Sequence, residues 1–129
     1  MAYIKYKELA KYFNFNKRIE ISTLPNYVHD YLYKDEVILA AYKTSRDKAV
    51  FTDKRMVLFD VTPITSVKKI HIIPYSSIST SAIVYEGSQS KILLSFDSGY
   101  QLRLDFTKMN SDDKKQLRLL YFEIMKNIK

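Results

Sequence analysis

The sequence contains no cysteine, only two glycines and three prolines, and no long apolar run. Without cysteine the chain cannot form a disulfide bond, a thiolate zinc site or a cysteine nucleophile, and such a composition is typical of a reducing compartment. So few glycines and prolines argue against a long flexible linker or a disordered tail. Because 47% of the 129 residues are hydrophobic, we expect one domain with a compact core.

The amino-terminal residues 1–15 have no apolar run, because Lys5, Lys7, Glu8 and Lys11 interrupt them. This pattern is not that of a secretory signal peptide. No part of the sequence approaches the roughly 18 uncharged apolar residues that a membrane-spanning helix needs. We therefore expect a cytoplasmic protein, and peripheral attachment to a membrane is left open.

The net charge of +7 is spread evenly along the chain. The basic excess is +2 in residues 1–30, +3 in residues 31–109 and +2 in residues 110–129, so no segment forms a basic tail. Lysine outnumbers arginine by sixteen to five, although arginine is the better reader of phosphate. This distribution favours a lysine-rich soluble surface over a dedicated polyanion site.

Few residues suit catalysis or metal binding. His29 and His71 are the only histidines, and neither has acidic neighbours at the spacing of a metal motif. The sequence has no glycine-rich phosphate loop and no nucleophile elbow. We expect a protein that is not an enzyme, with no catalytic residue, no metal ligand and no cofactor.

Two helices are predicted in residues 1–33, which hold six of the eleven tyrosines. The first is predicted over residues 3–13 by an apolar face at helical spacing, formed by Tyr3, Ile4, Tyr6, Leu9, Ala10 and Phe13. A second, shorter helix is predicted over residues 24–32, with Thr23 as its cap and Pro25 in its first turn. Tyrosines in such helices pack half-buried or form a contact surface for another chain.

Seven strands are predicted next, each six to eight residues long and separated by polar, glycine or proline turns. They cover residues 36–43, 48–53, 55–61, 67–73, 78–85, 91–97 and 100–106. The last of them alternates most clearly, since Tyr100, Leu102, Leu104 and Phe106 share one face. Strands at this regular spacing predict an antiparallel barrel or sandwich.

One amphipathic helix is predicted at the carboxyl end. Asn110 or Ser111 is its expected cap, and Asp112 and Asp113 in the first turn favour the helix dipole. Its apolar face consists of Leu117, Leu120, Tyr121, Ile124, Met125 and Ile128. We expect this face to close the open end of the sheet that precedes it.

Two local motifs resemble those of bacterial pleckstrin-homology (PH) domains, especially the YokE-like type. Residues 50–60 (VFTDKRMVLFD) resemble a strand pair of that family, and residues 72–78 (IIPYSSI) resemble the segment after its third strand. Seven strands followed by one helix is also the element order of a PH domain. The resemblance covers about residues 34–129.

The resemblance implies an α+β fold that is mainly β. We expect a PH-like seven-stranded antiparallel barrel or sandwich over residues 34–129, capped by a carboxyl-terminal helix, with an amino-terminal helical extension at residues 1–33. Bacterial PH-like domains of known structure tend to form oligomers, and eukaryotic PH domains bind phosphoinositides or protein segments.

The favoured functional hypothesis is a non-catalytic binding and assembly module that contacts a protein partner, a second copy of the chain included. Tyrosines of the extension are the candidate contact residues, namely Tyr3, Tyr6, Tyr12, Tyr27 and Tyr31. Unpaired strand edges of a partly open barrel are a second contact mode. The lysine-, isoleucine- and tyrosine-rich composition is typical of AT-rich bacterial genomes and of their phages, so both origins stay open.

The alternative is peripheral binding to an anionic membrane through basic hairpin ends. Its candidate residues are Lys43, Arg46, Lys48, Lys54 and Arg55, which match the phosphoinositide motif of eukaryotic PH domains only in part. A second alternative is nucleic-acid binding, in which tyrosines interleaved with lysines stack on single-stranded bases. The even charge and the scarcity of arginine disfavour it.

Overall fold

A computed structural model describes residues 10–44, 47–62 and 67–128. Nine strands and two α-helices lie in these ranges. The strands are β1 (Ala10–Phe15), β2 (Lys17–Arg18), β3 (Ile38–Lys43), β4 (Lys48–Thr52), β5 (Arg55–Thr62), β6 (Val67–Pro74), β7 (Ile78–Glu86), β8 (Gln89–Phe96) and β9 (Gln101–Phe106). The helices are α1 (Asn26–His29) and α2 (Ser111–Lys126), and short 3-10 turns cover Ile21–Thr23 and Tyr75–Ser77.

The strands form two sheets that pack face to face. The four-stranded sheet has the order β1-β9-β8-β7, and the five-stranded sheet has the order β2-β3-β4-β5-β6. Every pairing is antiparallel except that of β1 with β9, which is parallel. The chain passes from one sheet to the other directly after β1, where the amide of Asn16 donates to the carbonyl of Lys43 at 3.0 Å.

The main core lies between the sheets and under α2. It is rich in aromatic rings, and its fully buried members include Phe13, Phe15, Phe51, Tyr75 and Phe106. Helix α2 inserts Leu117, Leu120 and Ile124 into the same cluster, as its apolar spacing predicts. Alternate residues of each strand fill this core because successive side chains point to opposite faces.

A second core covers the outer face of the five-stranded sheet. Leu24 and Val28, from the segment between β2 and β3, pack on Val50, Val57 and Phe59. Strands β4 and β5 are therefore buried on both faces, which explains their continuous apolar sequences without alternation.

The seven strands and the carboxyl-terminal helix predicted from the sequence are confirmed, with strand ends that differ by no more than two residues. The predicted cap is confirmed as well. The side chain of Asn110 accepts from the amide of Asp113 at 2.8 Å, and the Asp113 carboxylate accepts from the amide of Asn110 at 3.2 Å. This reciprocal pair satisfies two amides that the first helical turn leaves free.

The helix predicted over residues 3–13 is wrong over Ala10–Phe13, which belong to β1, and residues 1–9 lie outside the described residues. Phe13 and Phe15 are buried whereas Tyr12 and Asn14 are exposed, so the side chains alternate as in a strand. A short apolar run fits both the spacing of a helix and the alternation of a strand. Here the pairing with β9 makes the segment a strand.

The amino-terminal extension is not confirmed as helical, because α1 spans only four residues. Helix α1 lies within the range predicted for the second helix, residues 24–32, but covers only four of those residues. Its details differ, since Pro25 occupies the cap position and Thr23 donates to the carbonyl of Glu20 at 2.7 Å within the preceding 3-10 turn. Strand β1 belongs to the four-stranded sheet and strand β2 to the five-stranded sheet. The predicted domain boundary between residues 33 and 34 stays a prediction. Among the described residues, no helix has the length and apolar character needed to cross a membrane.

Candidate functional site

A groove of about 550 Å³ lies on the outer face of the four-stranded sheet. Four of its lining residues are neighbours across the strands: Tyr12 pairs with Arg103, Arg103 with Leu93, and Leu93 with Ala82. Residues two positions away along each strand extend the same face, namely Thr80, Ser95 and Gln101. The groove therefore combines the aromatic ring of Tyr12, the cationic side chain of Arg103 and several aliphatic side chains with a polar border.

Arg103 is held in one orientation by its neighbours in the sheet. Its Nε and Nη2 donate to the two carboxylate oxygens of Asp105 at 3.0 and 2.9 Å, and its guanidinium lies 4.8 Å from the ring centroid of Tyr12. Hydrogen bonding to Asp105 raises the pKa of Arg103, so the guanidinium stays charged. Asp105 itself is 4% exposed and has its charge balanced by this pair.

The exposed apolar area in the groove comes from Tyr12 and Leu93, whose exposed fractions are 52% and 38%. An antiparallel sheet with one solvated face normally carries polar residues there. The alternation of β8 confirms that Leu93 points away from the core, because Ile92 and Leu94 on either side are buried.

The structure separates the tyrosines that the sequence proposed as one contact set. Tyr12 lies in the groove, whereas Tyr27 and Tyr31 lie over the outer face of the five-stranded sheet, with ring centroids 5.6 and 5.8 Å from that of Phe59. Tyr3 and Tyr6 lie outside the described residues. Tyr12 is thus the only described member of the set that lies in the groove, and sequence reasoning did not identify Leu93 or Arg103.

The basic residues that the sequence proposed as membrane contacts lie at two separate places, one at each end of β4. Lys43 pairs with Lys48 across β3 and β4, and Lys17 of β2 pairs with Lys43 on the other side, so three lysines form a row across neighbouring strands. The Lys48 ammonium lies 6.0 Å from the ring centroid of Tyr27. Lys17 was not among the sequence candidates, because only the β2–β3 pairing brings it to this row. Arg46 lies outside the described residues.

Arg55 and Lys54 lie at the opposite end of β4, at the turn into β5. Arg55 donates through Nε and Nη2 to the two carboxylate oxygens of Glu36, each at 2.9 Å, and through Nη2 to the carbonyl of Tyr31 at 2.7 Å. The side chains of Arg55 and Glu36 are 11% and 0% exposed, so this ion pair is largely shielded from solvent and links the segment before β3 to the start of β5. Lys54 is half-exposed and lies 3.8 Å from the carboxylate of Asp53.

The two histidines lie on different elements of the fold. His71 lies on β6 beside the ring of Phe13, with centroids 5.9 Å apart, and His29 ends α1. Among residues 10–44, 47–62 and 67–128, no cluster of three or more His, Asp or Glu side chains is arranged to hold a metal ion.

Comparison of the sequence with known proteins finds a matching family and a relative. The family described as "Bacterial PH domain" matches residues 9–119. The chain is 44% identical over 57 residues to "Uncharacterized protein YjqA" of Bacillus subtilis (strain 168), a match that covers 43% of this chain and 46% of that protein. The chain therefore spans just under half the length of that relative.

Three solved structures have a similar fold. A pleckstrin-homology domain protein from Shewanella loihica PV-4 has a TM-score of 0.69 at 20% identity and covers 91% of this chain and 99% of its own. A PH domain protein from Exiguobacterium sibiricum 255-15 scores 0.67 at 18% identity, covering 86% and 61% of the two chains. A pleckstrin-homology domain from Shewanella amazonensis SB2B scores 0.61 at 22% identity, covering 86% and 90%.

The family match begins one residue before β1 and ends within α2, so it takes in both sheets and the outer groove. The two sheets closed by one helix, which the sequence had predicted, are the architecture that these structures share. This chain belongs to the bacterial PH domain family.

Proposed function

We propose that this chain is a non-catalytic binding and assembly module whose contact surface is the groove around Tyr12, Leu93 and Arg103. The observation that carries the proposal is the row of these side chains on a sheet face, where they are exposed together in one concavity. Tyrosine and arginine are the residue types that contribute most at protein interfaces. Arg103 is already oriented by Asp105, so binding would cost little side-chain entropy.

The partner that we propose is a second copy of the chain. In the described part of the chain, β7 pairs only with β8, and β6 pairs only with β5, so each strand presents one edge. An edge with free amides and carbonyls accepts another strand, and side chains on the adjoining face add specificity. The groove reaches β7 through Thr80 and Ala82, which makes the face and this edge one continuous surface.

Light scattering over a range of protein concentrations tests the proposal. We expect the mass to rise above that of a monomer, and we expect Tyr12→Ala and Leu93→Asp to raise the dissociation constant at least about tenfold, since a buried interface residue contributes more than 1 kcal/mol. Phe122→Ala is the matched control, because Phe122 is an aromatic residue that is 57% exposed on α2 and does not line the groove. A monomer at every concentration, or an equal effect of all three variants, would contradict the proposal.

A second candidate function is binding to an anionic membrane surface through Lys17, Lys43 and Lys48. The cross-strand row is the observation in its favour, because the three lysines are register partners on neighbouring strands about 4.8 Å apart. Each basic group close to an anionic surface contributes about 1 kcal/mol. The row would therefore supply about 3 kcal/mol, or roughly a hundredfold in affinity.

Co-sedimentation with phosphatidylserine vesicles tests this second candidate at low and at physiological salt. Lys43→Glu with Lys48→Glu should abolish pelleting, whereas Lys115→Glu, an exposed charge on α2, should reduce it only slightly. Absence of pelleting at both salt concentrations would exclude the membrane hypothesis. A gel shift with single-stranded nucleic acid on the same variants distinguishes a membrane from a nucleic-acid partner.

A further inference from the structure

We propose that a small polar cavity at the amino-terminal end of α2 binds one monatomic anion, chloride being the common physiological example. The cavity lies where the β1–β2 corner, the end of β3 and the segment before α2 meet. This cavity, the Tyr42 cavity, is lined by Lys17, Arg18, Tyr42, Lys108 and Asp113 among others. It shares no lining residue with the groove on the four-stranded sheet, so the inference does not rest on the proposed function.

The hydroxyl of Tyr42 is the central donor of the cavity. Tyr42 is 2% exposed, yet its hydroxyl forms no hydrogen bond with another of the described residues. Leaving a buried hydroxyl unpaired is costly, so such a group normally binds a protein atom, a water molecule or an ion. Its ring packs against those of Phe51 and Phe106, with centroids 6.1 and 4.8 Å away, and this packing fixes the position of the hydroxyl.

The Tyr42 hydroxyl keeps its proton at neutral pH. Burial raises the pKa of Tyr42 to about 12, so the group is available as an O–H donor. The charges of Arg18 and Asp113 both act on this hydroxyl, which agrees with its place at the cavity wall that the three residues share. A protonated donor enclosed in this way suits an occupant that accepts hydrogen bonds.

The size of the cavity limits its occupant to one small body. Its volume is about 20 Å³. A single water molecule needs about 10–15 Å³, so the cavity has room for a water molecule or for a slightly larger sphere such as chloride. A phosphate or sulfate group, with four oxygens around its central atom, does not fit inside.

The charges of the cavity wall favour an anion over a water molecule. Lys17, Arg18 and Lys108 line the cavity against the single carboxylate of Asp113, which leaves two positive charges in excess. Arg18 also lies 3.7 Å from the carboxylate of Asp112, but both side chains are exposed and solvent screens this pair. Ammonium and guanidinium groups only donate hydrogen bonds, so this wall matches an occupant that only accepts them.

Helix α2 adds to the positive potential. It is 16 residues long, and the amino-terminal end of a helix carries a partial positive charge. Two amides near this end are already bonded, because Asn110 and Asp113 accept from each other's amides. The helix therefore contributes its field to the site, and the direct donor from the core is Tyr42.

The line width of the chloride NMR signal tests binding directly. We expect the natural chain to broaden the signal, and we expect Tyr42→Phe to reduce this broadening at least about fivefold, since the variant removes the buried donor. Tyr75→Phe is the matched control. Tyr75 is also fully buried, but its hydroxyl donates to the carbonyl of Thr52 at 2.8 Å and it does not line the cavity, so the broadening should not change.

A second pair of variants leaves the core untouched. Lys108 has a φ of 57°, in the left-handed region that asparagine tolerates better than most residues, so Lys108→Asn removes the charge without adding backbone strain. This variant should weaken chloride binding severalfold. Lys115→Asn is its control, because Lys115 is exposed on α2 and does not line the cavity.

Thermal unfolding provides an independent measurement. Replacing gluconate by chloride at constant ionic strength should raise the Tm of the natural chain by about 4–7 °C at a chloride concentration of about ten times the dissociation constant. Gluconate is too large for the cavity. The same exchange should leave the Tm of Tyr42→Phe unchanged, and it should raise that of Tyr75→Phe as much as that of the natural chain.

Three results would overturn the inference. The first is chloride broadening that Tyr42→Phe does not reduce, and the second is a natural chain whose Tm is the same in chloride and in gluconate; each would mean that the cavity holds only water. The third is phosphate that displaces chloride in a manner that depends on Tyr42, which would contradict the monatomic occupant. Self-association through Tyr12 and Leu93 is measured separately, because neither residue lines this cavity.

Discussion

Arg55 donates two hydrogen bonds to the carboxylate of Glu36 across 19 residues of sequence, and both side chains are withdrawn from solvent. Thr52 adds a third hydrogen bond to the same carboxylate at 2.6 Å. The pair fastens the segment before β3 to the turn between β4 and β5, and Arg55 extends this link to the carbonyl of Tyr31. The second core under α1 depends on this link, because Tyr31 follows Val28 in the segment that covers the sheet.

Glu36→Gln should destabilise the protein strongly. The variant leaves the Arg55 guanidinium largely buried without its counter-charge, and breaking such a pair costs about 3–5 kcal/mol. Lys126→Gln is the control, since its partner Glu123 lies on the surface of α2 and an exposed pair contributes about 0–1 kcal/mol. Urea unfolding of both variants measures the difference, and a loss below about 1 kcal/mol for Glu36→Gln would show that the pair contributes little.

Stability should fall in acid because of Glu36. Hydrogen bonds from Arg55, followed by those from Thr52 and the amide of Tyr33, lower the pKa of Glu36 from 4.5 to about 2. A carboxylate with a lowered pKa in the folded state stabilises that state above the unfolded pKa, and the contribution disappears as the pH falls through the folded pKa. We expect a loss of up to about 3 kcal/mol between pH 5 and pH 2.

Unfolding of the Glu36→Gln variant, measured over the same range from pH 5 to pH 2, isolates the contribution of Glu36 to acid sensitivity. The free energy of unfolding of the variant should change less over this pH range than that of the natural chain. Parallel curves for the two proteins would assign the acid sensitivity to other carboxylates.

Phe15→Ala should reveal that β1 belongs to the core. Phe15 is 1% exposed and lies 5.6 Å, centroid to centroid, from the ring of Phe106, its partner in β9. Removing a buried phenyl ring costs about 3–5 kcal/mol. Tyr12→Ala, on the exposed face of the same strand, should cost about 1 kcal/mol or less, and thermal unfolding distinguishes the two. Similar small losses would contradict the pairing of β1 with β9.

Truncation tests whether residues 34–129 fold alone. Removing residues 1–33 deletes Phe13 and Phe15 from the main core and Leu24 and Val28 from the second core. We therefore expect the shortened chain to lose the cooperative thermal transition that the full chain shows in circular dichroism. Removing only residues 1–8 should keep that transition, because these residues precede β1. A folded 34–129 fragment would support the independent unit that the family resemblance implied.

Asn110→Ala should weaken the start of α2. The variant removes the acceptor for the amide of Asp113 and breaks the reciprocal bond, and the loss of an asparagine cap costs about 0.5–2 kcal/mol. Asn127→Ala at the other end of α2 is a useful comparison, because its side chain donates only to the exposed carbonyl of Glu123. Equal effects would indicate that general fraying of the helix, and not the cap, determines the loss.

Local patterns in the sequence were enough to determine the seven central strands, their turns, the capped helix α2 and the family. Alternation, turn residues and caps act within a few residues of one another, so they are readable without knowledge of the fold. The parallel pairing of β1 with β9 joins residues about ninety positions apart, and no local signal at Ala10–Phe15 distinguishes it from a helix. Tertiary pairing therefore decided the conformation of this segment.

The sites were decided by the tertiary structure for the same reason. Tyr12 meets Arg103 and Leu93 only because β1 pairs with β9, about ninety residues later in the sequence, and Lys17 joins Lys43 and Lys48 only through β2. The sequence identified Arg55 as a basic residue at a hairpin end, which suggested a ligand contact. Only the folded chain shows that Glu36, 19 residues earlier, already binds it and withdraws it from solvent.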